Sequence, residues 1–126
     1  MKSVFLLISL TFMLTSFSAM AQTEEIVGSL KSANAEKVAS HFDDFIDMKL
    51  LEKDEIKNMG KSQATILLKK FFTDNRIQGF EKISERAIGT TRYMTGKLLN
   101  PEKGYNITIM FKQKETEYQI VTIRIN

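Results

Sequence analysis

Between Glu24 and Phe42 the apolar residues Ile26, Val27, Leu30, Ala33, Val38, Ala39 and Phe42 recur at steps of about three and four, the spacing of one helix face. Gly28 and the run Lys31-Ser32-Ala33-Asn34 interrupt the pattern. The spacing therefore predicts one helix or two short ones, with Asn34 as N-cap of the second. The period then drops to two. In FIDMKLL, Ile46, Met48 and Leu50 share a face opposite Asp47 and Lys49, as in a half-buried strand. The charged turn Glu52-Lys53-Asp54-Glu55 leads to Ile56 and Met59, a short return strand closed by Gly60.

Helical spacing returns in SQATILLKKFF, Ser62 to Phe72, where Ala64, Leu67, Leu68, Phe71 and Phe72 form one wide stripe. Ser62 is placed to cap this helix. Burying each phenylalanine contributes roughly 2 to 3 kcal/mol, so the stripe anchors whatever core forms. The remaining third reads as strands over 77–88, 91–99, 105–112 and 118–125, β-branched and aromatic segments joined by short turns. Pro101 and Gly104 mark the turn Asn100 to Gly104, and Lys114 to Glu117 is short enough for a hairpin. Tyr105, Ile107, Ile109 and Phe111 share one face. Simple alternation puts Val121, Ile123 and Ile125 on one face of the last strand and Ile120, Thr122 and Arg124 on the other. Helices followed by meandering strands predict an α+β domain with one sheet face covered.

The first residues change the picture of where this domain works. Lys2, an apolar run from Val4 to Phe17 and the motif Ala19-Met20-Ala21 have the anatomy of a signal peptide cleaved after Ala21. The run is shorter than the roughly 20 apolar residues of a membrane span, so no stable span is expected after cleavage. The expected organisation is thus residues 1–21 as signal peptide and residues 22–126 as a single secreted or periplasmic domain. Losing Lys2 takes the 18 basic residues to 17 against 15 acidic, a mature charge of +2 with acids interleaved, which argues against a nucleic-acid partner. The absence of cysteine excludes disulfides, a thiol nucleophile and cysteine metal sites.

SQATILLKKFF, the segment Tyr93-Met94-Thr95-Gly96-Lys97-Leu98 and YNITIMFKQKETEYQIVTIRIN together resemble a family of secreted bacterial proteins known as domain of unknown function 4783. The resemblance covers essentially the whole mature chain. It implies a nuclear transport factor 2-like, or cystatin-like, fold: an α+β cone in which a curved antiparallel sheet wraps the N-terminal helices, with the FF helix in the concave side. Relatives of that fold include isomerases, dehydratases, transport adaptors and binding modules, so the fold alone names no activity. The family has no established catalytic residues to carry over. The segment Ser84 to Thr91 also lacks the histidine and glycine-serine run expected between the first two long strands.

Phe42, Phe71, Tyr93, Tyr105 and Phe111 are the candidate lining of a pocket in such a cone, for a small-molecule ligand of unknown class. Neither metal nor cofactor is expected, because His41-Phe42-Asp43-Asp44 matches no ligand spacing and there is no second histidine. An enzyme on this scaffold would pair an acid, Asp43, Asp44 or Asp47, with Tyr93 or Tyr105, His41 being an alternative base. Met110, Ile120, Thr108 and Thr122 read as a mildly apolar second sheet face, the expected surface of a homodimer. The leading expectation is a non-enzymatic ligand-binding or protein-interaction module. Its rival is a small isomerase or dehydratase, and a purely structural envelope component is the third reading.

Overall fold

The computed structural model of the protein describes residues 22–126. The expected signal peptide, residues 1–21, lies outside them. The N-terminal helical pattern resolves into two helices, α1 (22–31) and α2 (Ala35–Ala39). The break falls at Ala33, which adopts a left-handed φ of 55°. Asn34 then caps α2, its Oδ1 accepting from Lys37 N at 3.1 Å. The helical spacing expected to reach Phe42 stops at Ala39, because Phe42 opens strand β1 (Phe42–Leu50).

Strand β2 (Ile56–Gly60) runs without a connecting residue into helix α3 (Lys61–Asp74). That direct entry corrects the expected cap: Gly60, with extended φ and ψ of −60° and 146°, is the N-cap and supplies no side-chain bond, while Ser62 is already the second helical residue. Ala64, Leu68, Phe71 and Phe72 are buried and Leu67 is partly buried, so the stripe faces the core as its spacing predicts. Asn75 closes the helix, its Nδ2 donating to Phe71 O at 2.9 Å.

Four longer strands follow: β3 (Gly79–Ile88), β4 (Thr91–Leu99), β5 (Gly104–Lys114) and β6 (Glu117–Ile125). They complete one six-stranded sheet in the order β2-β1-β6-β5-β4-β3. Every neighbouring pair is antiparallel except β1 and β6, which run parallel, so the curved sheet is mixed rather than wholly antiparallel. The first and last strands meet near its centre.

Met48, Met94, Leu98, Ile107, Ile109, Ile123 and Ile125 line the inner face under the helices, each at most 2% exposed. On β6 the alternation expected from sequence fails at one residue. Met110 is in register with Thr122 but Phe111 with Ile120, which leaves Val121 as the extra residue of a bulge. Ile120 therefore turns inward, fully buried between Phe42 and Phe111 in register on either side, and leaves the outer face where simple alternation placed it. Gly96 marks the closest approach of β4 to its neighbour. A Cβ there would meet Glu81 O and Phe80 Cε1 at 2.5 Å, so only glycine lets the Phe80 ring lie across this strand.

Candidate functional site

The five pocket candidates go to three places. Phe42 and Phe111 are each 2% exposed and flank Ile120 in register, as part of the packed core. Phe71 and Tyr105 meet at the far end of the core, ring centroids 5.7 Å apart and edge-on at 74°. Tyr93 is on the other side of the sheet. It stands opposite Met110 with Met94, buried, on the inner face beside it, a choice of face that depends on the register and is invisible to the residue type.

The Phe71–Tyr105 contact forms the wall between two clefts. The Tyr105 side, about 780 Å³, is bounded by Lys49, Leu51, Glu52, Lys53 and Lys103. The Phe71 side, about 160 Å³, shares Leu51 and Lys53 and adds Leu67 and Lys70. The tyrosine is fixed at this wall: its hydroxyl donates to Asn75 Oδ1 at 3.2 Å, and Lys103 Nζ sits 4.9 Å over its ring. Asn75 is held by Asn100 Nδ2, which donates to its carbonyl at 2.9 Å. Lys49 Nζ donates to Leu51 O at 2.7 Å, and Leu51 itself takes a left-handed φ of 55°. The sequence pattern assigned no binding role to Lys49, Lys53 or Lys103, since the turn Glu52 to Glu55 and the Asn100 turn are brought together only by the β1–β6–β5 order.

The acids proposed for catalysis are committed elsewhere. Asp43 pairs with Lys114 Nζ at 2.7 Å, and its Oδ1 also accepts from Asp44 N at 2.8 Å. Burial raises its pKa, but the Lys114 bond, the Asp44 amide and the charges of Lys114 and Lys112 together outweigh this and leave it lowered. Asp44 is exposed. Asp47 accepts from Asn58 N at 2.9 Å, fixing the residue whose φ of 53° marks the irregularity between β1 and β2. His41 Nε2 lies 3.7 Å from Glu25 and has no hydrogen bond. Ser29 and Thr122 are the only residues in the buried polar or charged class among those described, so none of the described acids is buried. No group of three or more His, Asp or Glu among them could hold a metal ion.

The outer face carries a neutral centre. Tyr93, Met110 and Thr122 form one row in register across β4, β5 and β6, and Thr95 and Thr108 lie in the next. All five are half-buried or buried. Arg86 and Lys97 flank this centre, and Arg124 reaches across to Glu55 at 2.9 Å.

A family model described as domain of unknown function (DUF4783) matches residues 23–126. The chain belongs to the DUF4783 family. A solved DUF4783 protein from Bacteroides uniformis is 19% identical and superposes with a TM-score of 0.75, covering 82% of this chain and 94% of its own. Another from Bacteroides ovatus gives 19% and 0.72, covering 80% and 90%. An uncharacterised protein with a cystatin-like fold from Caulobacter vibrioides gives 11% and 0.60, covering 85% and 84%. At such identities the likeness carries the fold: the DUF4783 cone is of the nuclear transport factor 2-like and cystatin-like kind. No curated protein matches the chain. Among the described residues no helix is long and apolar enough to cross a membrane.

Proposed function

We propose that this DUF4783 domain is a non-enzymatic interaction module of the secreted or periplasmic space, and that it self-associates through the outer face of its sheet. The observation that carries the reading is the filled interior: among the described residues 25 apolar ones are buried in the core, and no acid is buried there to face a polar partner. An enzyme needs its acid and tyrosine both within about 3 Å of the reacting group. Asp47 and Tyr93 share a row of the outer face but stand three strand spacings apart, about 14 Å. Tyr105 bonds to Asn75 at the end of the core where none of the three candidate acids lines the cleft.

The outer face has the make-up of an interface core, an aromatic residue and a methionine among threonines with arginines at the margin. Its membership differs from the sequence expectation, losing Ile120 and gaining Tyr93. Sedimentation velocity on residues 22–126 tests the reading. A dimer is expected, weakened at least tenfold by Met110→Glu with an unchanged circular dichroism spectrum. A monomer at the highest soluble concentration, or a dimer indifferent to both Met110→Glu and Tyr93→Glu, refutes it.

A further inference from the structure

Two main-chain N–H groups of β6 point toward the β1 side near its start. Ile120 N donates to His41 O at 2.7 Å. Two residues earlier β1 has not yet begun, and the N–H of Tyr118 is met by a side chain instead, Gln22 Oε1 at 3.1 Å. Gln22 is half-buried in the first described turn of α1. The next residue, Thr23, accepts from Arg92 NH1 at 3.4 Å, and that guanidinium lies 5.0 Å over the Tyr118 ring. The first described turn of α1 is thus seated on the sheet beside a cation.

Cleavage after Ala21 would make this same Gln22 the first residue of the mature chain. A free α-amine would then place a positive charge at the positive end of α1, next to Arg92, where the helix dipole disfavours it. We propose that Gln22 of the mature protein is cyclised to pyroglutamate. The α-amino nitrogen attacks Cδ of its own side chain. The N–Cδ bond forms, the Cδ–Nε2 bond breaks, a proton passes from the attacking nitrogen to Nε2, and ammonia leaves. Nothing is oxidised or reduced. The hydrogen bond from Tyr118 to Oε1 draws electron density from Cδ and favours the attack. The lactam keeps a carbonyl oxygen able to accept from a main-chain N–H, and the charge at the helix start is removed.

The inference rests on cleavage after Ala21, and the test separates the two. The full chain is expressed with its own leader in a secreting bacterial host, and the mature protein is weighed intact and sequenced from its N-terminus, alongside Gln22→Ala. The expected wild type is one ammonia lighter than residues 22–126, blocked to stepwise sequencing and opened by pyroglutamyl peptidase. Gln22→Ala has its full mass and an open terminus. A free Gln22 that persists through prolonged incubation overturns cyclisation. A mature chain beginning at any other residue overturns the cleavage site and, with it, the proposal.

Discussion

Truncating Ile120 and Val121 in turn tests the bulge that decides which residues of β6 face the core. Ile120 is fully buried, so Ile120→Ala removes three carbons from the apolar interior, about 2.4 kcal/mol at ~0.8 kcal/mol per methylene. The unfilled space between Phe42 and Phe111 adds to this, bringing the cost to about 3 to 4 kcal/mol. Val121, the half-buried extra residue of the bulge, loses two carbons already in contact with water, so Val121→Ala costs less than about 1 kcal/mol. Urea unfolding followed by circular dichroism reads both, with unchanged m-values expected. For a domain of this size the Ile120 loss corresponds to a fall in Tm of roughly 12 to 20 °C. Uninterrupted alternation, with Val121 inside, predicts the opposite ranking. Equal costs, or a larger cost for Val121, would sink the bulge assignment.

Gly96→Ala should destabilise by about 2 kcal/mol or more, because the new methyl meets the main chain at Glu81, whereas Gly28→Ala, with nothing within 4 Å in α1, should stabilise by about 0.5 to 1 kcal/mol; thermal unfolding of the pair checks both signs. Asn34→Ala should cost about 1 kcal/mol through the lost α2 cap, while Ser62→Ala leaves stability within about 0.5 kcal/mol, as chemical denaturation will show. The lowered pKa of Asp43 means that its ion pair with Lys114 stabilises the fold above the ordinary aspartate range and that this contribution is lost as pH falls through the depressed folded value. Wild type should therefore exceed Asp43→Asn in stability at neutral pH, the gap closing as the pH is taken below about 4; a gap independent of pH would contradict the assignment.

The elements were legible where one period persisted. The α3 stripe, the Ile46-Met48-Leu50 face and the strands flanking the Asn100 turn each carry an apolar pattern that local physics alone enforces. Phe42 continues the helical spacing from Val38 and Ala39, yet its partner in register is Ile120 on β6, which no local window contains. Ser62 has the chemistry of a cap but lies inside α3, since β2 passes into the helix through Gly60 with no loop between. Tyr93 and Tyr105 look alike as residues. Their separation onto opposite faces follows from the β4–β5 register, which pairs Tyr105 with Leu98 and Tyr93 with Met110.

The parallel contact of β1 with β6 also governs when the molecule can form. A chain synthesised N-terminus first presents β1 with one flank open until residues 117–125 have emerged. Before that, β2 and β1 form only a two-stranded ribbon, too small to stand alone in water, and Ile120 and Ile123 are missing from the core. Assembly therefore waits for the last strand, and the long loop between the partners makes that closure slow and all-or-none. Such a topology keeps the core open until the C-terminal strand is released, and makes that release the signal to fold.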